Sequence, residues 1–248
     1  MRYIILSDIH GNLEALEAVL AHAERQGYDA ALVLGDLVGY GADPNTVIER
    51  IQALGPVAMV RGNHDKVAAG MENASSFNLA ARRAVAWTST ALTPENLAFL
   101  VALPEGPILV DDDVEICHGA PSDEDKYLFE AGDAAHALLE SQRPICFFGH
   151  THVQVVYQLS GDDSLDVSGF DESSGRRLTL DPTCKYLINP GSVGQPRDGD
   201  ARASYALVDT GARELMLFRV PYDVEEAQAK IRAAGLPEIL AARLGLGR

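Results

Sequence analysis

The chain has 248 residues, 47% of them hydrophobic, and a formal net charge of −16. That length builds a sizeable core, as one large α/β domain or two small ones, and no apolar run reaches the roughly 18 residues of a membrane-spanning helix. The acidic balance, without a basic patch, argues against extended nucleic-acid binding and against a membrane partner, while a small anionic substrate stays compatible because bound metal ions reverse the local potential. Residues 1–6 carry one positive charge and an apolar stretch too short for a secretory leader, and read as a first strand. Cys117, Cys146 and Cys184 have no paired spacing and read as buried thiols, which suits a reducing cytoplasm.

Residues 3–7 form the expected first strand, and Leu13, Leu16, Leu20 and Ala23 then recur at helical spacing. A short apolar strand at 31–34 ends at Gly35-Asp36, a helix follows at 46–54, and a third strand at 57–60 ends near Gly62-Asn63. This βαβαβ rhythm predicts a largely parallel sheet, whose ligands bind beyond the carboxyl ends of the strands. Asp8, Asp36 and Asn63 all fall there. Residues 73–101 read as helical, with Thr93-Pro94-Glu95 as a start signal.

The second half changes to strands, at 108–110, 114–117, 145–148, 153–159, 178–180, 186–188, 205–209 and 214–219, interrupted by one helix near 131–142. Residues 160–177 are polar and rich in Gly, Asp and Ser, and read as a flexible hairpin or loop insertion, either a lid or surface decoration. Val224, Ala227 and Ile231 suit a helix after Pro221, and 236–246 a second. One domain over 1–248 is expected, since motifs from both halves must meet in one site.

Five short clusters carry the chemistry: Asp8-Ile9-His10-Gly11, Gly35-Asp36, Gly62-Asn63-His64-Asp65, His118-Gly119 and Gly149-His150-Thr151-His152. They hold five of the seven histidines. Each sets oxygen or imidazole donors beside a glycine, where the chain turns sharply, and the mixed set without cysteine suits borderline first-row metals. The i, i+2 spacing of Asp8 with His10, and of His150 with His152, turns both members of each pair the same way if the segment is extended. Alone, a DxH or GD pattern is common in proteins with no metal; five in order are not. His22 and His136 lie on helices without a partner motif and read as structural.

Taken in order, the clusters resemble the signature of the calcineurin-like metallophosphoesterases, from Asp8 to the segment Asn189-Pro190-Gly191-Ser192-Val193-Gly194-Gln195-Pro196-Arg197. The resemblance implies a four-layer αββα sandwich of two packed mixed sheets, with the metal site at strand C-terminal ends. It implies two divalent ions, one held by Asp8, His10, Asp36 and His152 and the other by Asp36, Asn63, His118 and His150, with Asp36 as the bridge. A hydroxide shared between the ions would attack phosphorus in line, and His64 would protonate the leaving group or stabilise the transition state. Mn²⁺ is the expected ion, with Fe, Co, Ni, Zn or Mg as alternatives. Asp65 either orients His64 or caps a helix, and Asn12 either donates to a phosphate or caps its helix. Tyr40 is a candidate for substrate contact or a plain loop aromatic, and Arg197 for a second phosphate or a solvent-facing charge.

The expected activity is hydrolysis of a small phosphodiester or nucleotide, with dinucleoside polyphosphate hydrolysis or monoester hydrolysis as alternatives. Gly35-Asp36 continues Leu37-Val38-Gly39-Tyr40, without the Asp-Arg-Gly that marks serine/threonine protein phosphatases. A catalytically silent scaffold is the alternative outside enzymes, and it conflicts with the retention of His64 and every implied ligand.

Overall fold

In chain order, β1 (Arg2–Leu6), α1 (Leu13–Gln26), β2 (Ala30–Val33), α2 (Pro44–Leu54), β3 (Ala58–Met59) and the short α3 (Asn63–Ala68) come first. Next are α4 (Leu79–Ala91), α5 (Pro94–Ala102), β4 (Ile108–Leu109), β5 (Val114–Ile116), α6 (Ala131–Glu140), β6 (Ile145–Phe147) and β7 (Val155–Leu159). The chain continues through β8 (Leu165–Ser168), β9 (Arg176–Thr179), β10 (Lys185–Asn189), β11 (Ala203–Asp209), β12 (Glu214–Val220), α7 (Val224–Ala233) and α8 (Glu238–Leu244). This computed structural model describes residues 1–169 and 175–248.

Two six-stranded sheets result, ordered β3-β2-β1-β11-β12-β9 and β4-β5-β6-β10-β7-β8. Both are mixed. β1, β2 and β3 run parallel, and β11 then joins β1 antiparallel, so strands from both ends of the chain meet at the centre of the first sheet. In the second sheet β5, β6 and β10 are parallel, with β4 and β7 antiparallel outside them.

The period-2 alternation of each strand separates the layers. Tyr3 and Ile5 of β1 join Phe147 and Ile188 in a core between the sheets, whereas Ile4 and Leu6 face Leu16, Val19 and Leu20 of α1. On the far side, Cys146 and Leu187 turn away from the inter-sheet core onto Ala134, Ala137 and Leu138 of α6. Strands buried on both faces read as continuous apolar runs, which is why they were visible in the sequence. The order helix, sheet, sheet, helix is the expected four-layer αββα sandwich.

Local signals set the helix ends. Asn12 accepts from the Ala15 N–H at 3.1 Å to start α1, and Thr93 accepts from the Asn96 N–H at 3.2 Å to start α5 with Pro94 at its first position. Gly55 closes α2 in the left-handed region. The region read as helical over 73–101 holds only α4 and α5, because residues 69–78 form turns that wrap the site. Residues 160–177 differ from the insertion expected there. β8 pairs with β7 and β9 with β12, so each is the edge of a different sheet, not one arm of a shared hairpin. Residues 170–174 of that expected insertion lie outside the described residues. No helix among the described residues is long and apolar enough to cross a membrane.

Candidate metal centre

Each chemical cluster leaves the C-terminal end of a strand: Asp8 and His10 after β1, Asp36 after β2, Asn63 after β3, His118 after β5 and His150 after β6. The two sheets aim these ends at one place. Asp8, His10, Asp36, His150 and His152 all have positive φ, between 51° and 65°, as does Tyr40 at 59°. For residues other than glycine this left-handed backbone is uncommon and costs on the order of 1–3 kcal/mol each. Cross-loop bonds hold it in place: Asp8 N–H donates to Gly35 O at 3.1 Å, His10 N–H to Asp36 O at 2.9 Å, and the Asn189 amide to Gly149 O at 2.7 Å.

The side chains form two donor groups, Asp8 with His10, Asp36 and His152, and Asp36 with His118 and His150, the ligand atoms of each lying within 4.8 Å of one another. Asp36 Oδ2 stands 3.4 Å from His10 Nε2 and 3.6 Å from His118 Nε2, so one oxygen faces both groups. Asp36 Oδ1 is occupied, accepting from the His64 N–H at 2.8 Å. The Asn63 amide oxygen lies 3.3 Å from His118 Nε2 and belongs with the second group. His150 and His152 therefore part company. The extended backbone assumed from their spacing is absent, both residues being left-handed, and their rings enter different groups.

Second partners fix the tautomers. His10 Nδ1 lies 2.9 Å from Val38 O, His118 Nδ1 2.7 Å from Leu34 O, and His152 Nδ1 2.7 Å from Gln195 O. A carbonyl only accepts, so each Nδ1 carries the proton and each Nε2 lone pair faces inward. His150 is reversed, with Nε2 donating to Asp125 O at 3.1 Å and Nδ1 left for the centre. Ser7 donates to Asp8 Oδ2 at 2.6 Å, and Ser192 to Asp8 O at 2.7 Å.

His64 stands outside both groups. Its ring packs between Tyr40 at 4.4 Å and Phe77 at 4.5 Å, and 4.8 Å from the His10 ring. Nδ1 is buried against Gly39 without a hydrogen-bond partner, so Nε2 is the nitrogen left to reach a bound group. Gly39 has φ +88°, and any Cβ there would collide with that imidazole. Asp65 does not touch the His64 ring: it accepts from Val38 N–H at 3.2 Å and Gly62 N–H at 3.0 Å, tying β2's loop to the start of α3. The capping alternative is the one the structure carries.

Asn12 also resolves to a cap. Its amide protons are taken by Gly194 O at 2.9 Å and Tyr222 Oη at 3.3 Å, so the phosphate contact considered for it is corrected to a structural role. Tyr40 is buried as a shelf under His10 and His64, and its hydroxyl accepts from Arg197 Nη2 at 3.3 Å. Arg197 has no carboxylate ion pair among the described residues; Nη2 also donates to Gln195 Oε1 at 3.3 Å, and Nε is buried unpartnered. His22 bonds Tyr205 Oη at 2.8 Å within the core and His136 pairs with Glu140, both away from the site. Asn189, the first residue of the segment that carries the resemblance, braces the 149–152 loop; missed from sequence was Tyr127, stacked on His150 at 3.7 Å.

A family model described as the calcineurin-like phosphoesterase superfamily domain matches residues 1–213. The chain belongs to the calcineurin-like phosphoesterase superfamily. A protein of Methanocaldococcus jannaschii is 37% identical over 249 residues, covering 98% of this chain and 97% of that one. A metallophosphoesterase from Sphaerobacter thermophilus is 39% identical, and its crystal structure superposes over 100% of both chains with a TM-score of 0.88. A hypothetical protein of Pyrococcus horikoshii shares the fold at 19% identity, with a TM-score of 0.80 over 100% of this chain and 98% of that one. Membership in this calcineurin-like family implies a metal-dependent phosphoric ester hydrolase.

The residues present fit divalent ions. Imidazole nitrogens, carboxylate oxygens and one amide converge without a thiolate, as borderline metals require. Burial pushes the Asp8 carboxyl up to about 7 and holds Asp36 well above the usual carboxylate range, the mark of anions that need more positive charge than nearby Arg197 supplies. Burial, with the Arg197 charge adding to it, holds His10, His64, His150 and His152 well below their usual range, so they stay neutral and able to ligate.

These shifts set a stability maximum for the metal-free protein. The unfolded chain protonates its histidines below about 6.5 while four in the fold resist, so stability falls as pH drops below that value. The folded carboxyls keep protons that the unfolded chain releases above about 4, so their contribution falls as pH rises through that window. Below 6.5 four histidines outweigh three carboxyls, Asp8, Asp36 and Asp65, the last pushed by burial up to about 6; above it only the carboxyls act. Urea midpoints are expected to peak near pH 6.5, and a saturating divalent cation to remove the alkaline decline. A flat profile from pH 5 to 8 would refute this reading of the buried charges.

Proposed function

We propose that the chain is a dinuclear metal-dependent phosphodiesterase acting on a small phosphodiester or nucleotide. The observation that carries this reading is Asp36 Oδ2, which faces His10 at 3.4 Å and His118 at 3.6 Å and so can serve both donor groups at once. Asp8, His10, Asp36 and His152 would hold one ion, and Asp36, Asn63, His118 and His150 the other. Bound there, two divalent ions supply a nucleophile at neutral pH and offset charge on the phosphoryl oxygens.

The chain's own groups do the rest. Arg197, without a carboxylate ion pair among the described residues and steadied by Tyr40, binds a non-reacting phosphate oxygen. His64 offers Nε2 to the leaving oxygen, and Phe77 and Tyr40 keep its ring from turning. Held by the neutral Tyr40 hydroxyl and Gln195 amide, the guanidinium also suits a second phosphate, which supports dinucleoside polyphosphate hydrolysis as the second reading; relative kcat/KM on the two substrate types separates them. Three free thiols and the acidic charge fit a cytoplasmic enzyme on a small substrate.

Metal analysis is expected to find two ions per chain, and strong chelation to abolish hydrolysis of bis(p-nitrophenyl) phosphate, restored best by Mn²⁺. One ion per active chain would reject the dinuclear assignment. Full activity after chelation would reject the mechanism.

A further inference from the structure

Beside Asn63 and His150 opens a cavity of about 230 Å³, walled by Phe77, Tyr127, Glu72 and Asp125 among others. One water needs roughly 10–15 Å³ by the same measure, so the space admits a planar bicyclic group. Each aromatic wall rests on a ring of the centre: Phe77 lies 4.5 Å from His64, and Tyr127 lies 3.7 Å from His150 at an interplanar angle of 26°. Phe129 lies parallel to Tyr127 at 5.3 Å and braces it from outside. Both Tyr127 and Phe129 are substantially exposed, although burying such rings is favourable.

The charge of this cavity selects what enters. Glu72, Glu124 and Asp125 all pair with Lys66, and Arg61 divides itself between Glu105 and Glu124, so four carboxylates share two cations. A second phosphate would be repelled there. A neutral heterocycle is not, and its ring and exocyclic N–H groups would find acceptors in the partly exposed Glu72 carboxylate.

We propose that this cavity is a nucleobase subsite, in which the base of a nucleotide ester packs on Phe77 and against the edge of Tyr127 while its phosphate reaches the imidazole and carboxylate cluster. The proposal rests on the phosphoesterase reading of that cluster and adds the substrate class, a nucleoside phosphate ester. Neither Phe77 nor Tyr127 is a ligand candidate, so both can be changed without removing a donor.

Two measurements test it. In the first, adenosine 5′-phosphate and ribose 5-phosphate compete against bis(p-nitrophenyl) phosphate. The nucleotide is expected to inhibit at least 10-fold more tightly. Phe77→Ala should lower the ratio of nucleotide to ribose 5-phosphate affinity roughly 5- to 150-fold, the equivalent of about 1–3 kcal/mol for one stacked base, and Tyr127→Ala should lower that ratio in the same direction, a readout that any general damage to the centre leaves unmoved. In the second, saturation-transfer NMR follows adenosine on the metal-free protein, where the base protons should receive more transfer than the ribose protons, and less in either variant. Equal inhibition by the two compounds, with no preferential base contact, overturns the subsite while leaving the esterase reading standing. A protein inactive on every ester that still binds adenosine through its base overturns the esterase reading and supports the subsite.

Discussion

Asp36→Asn is expected to lose metal affinity by more than the roughly 10- to 100-fold that outer partners of metal ligands typically cost. Asp36 is the one carboxylate facing both donor groups, and the substitution removes its charge while keeping an oxygen to accept from the His64 N–H. Asn63→Ala should cost less, because a neutral amide beside His118 alone contributes to one group only. Calorimetric titration of the two variants compares them, and equal losses would remove the bridging role. A second readout separates lost ligation from damage to the fold. Burial disfavours the Asp36 carboxylate, so the metal-free variant should unfold at the same or higher urea concentration than the parent above pH 7. Lower affinity together with undiminished stability is the signature of a residue kept for the metal.

How far such a site can be read from sequence depends on where its constraints lie. The donors of Asp8-Ile9-His10, Gly35-Asp36, Asn63 and Gly149-His150-Thr151-His152 were legible because their chemistry and their sharp turns are local. Gly62 illustrates the link: a Cβ at that position would strike the Asp36 carboxylate, so the glycine beside Asn63 is needed for the approach of a residue on another strand. β1, β2, β6 and β10 were legible through apolar runs buried on both faces. What failed were inferences that needed backbone conformation or distant partners. The spacing of His150 and His152 implied a shared direction only for an extended chain; both are left-handed at φ of 65° and 60° and serve different groups, whereas Asp8 and His10, left-handed too, share one. β8 was legible only as part of a hairpin or loop insertion and β9 only at its end, in the strand read at 178–180, because their polar, half-exposed sequences gain strand structure from β7 and β12. Tyr127 carries no motif; only the packing of its loop on His150 gives it a role.

His64→Asn should still bind two ions while kcat falls by roughly 10² to 10⁴, the usual contribution of a positioned proton donor or acceptor. The ring belongs to neither donor group, and its backbone N–H, which holds Asp36 Oδ1 at 2.8 Å, survives the change. Its Nδ1 faces Gly39 with no partner among the described residues, and Asp65, the sequence candidate for orienting it, is spent on Val38 and Gly62. Orientation therefore rests on packing between Tyr40 and Phe77, and Nε2 is the only nitrogen able to act. Burial keeps the imidazole neutral at pH 7, so it works as a hydrogen-bond donor until negative charge develops on the leaving oxygen opposite it. The loss should accordingly be small for nitrophenolate, which leaves without a proton, and large for an alkoxide or ribose oxygen. Metal stoichiometry and the two leaving groups together decide the matter. A variant that binds one ion puts His64 among the ligands, whereas equal losses on both leaving groups would show that it supports the centre without touching the departing oxygen.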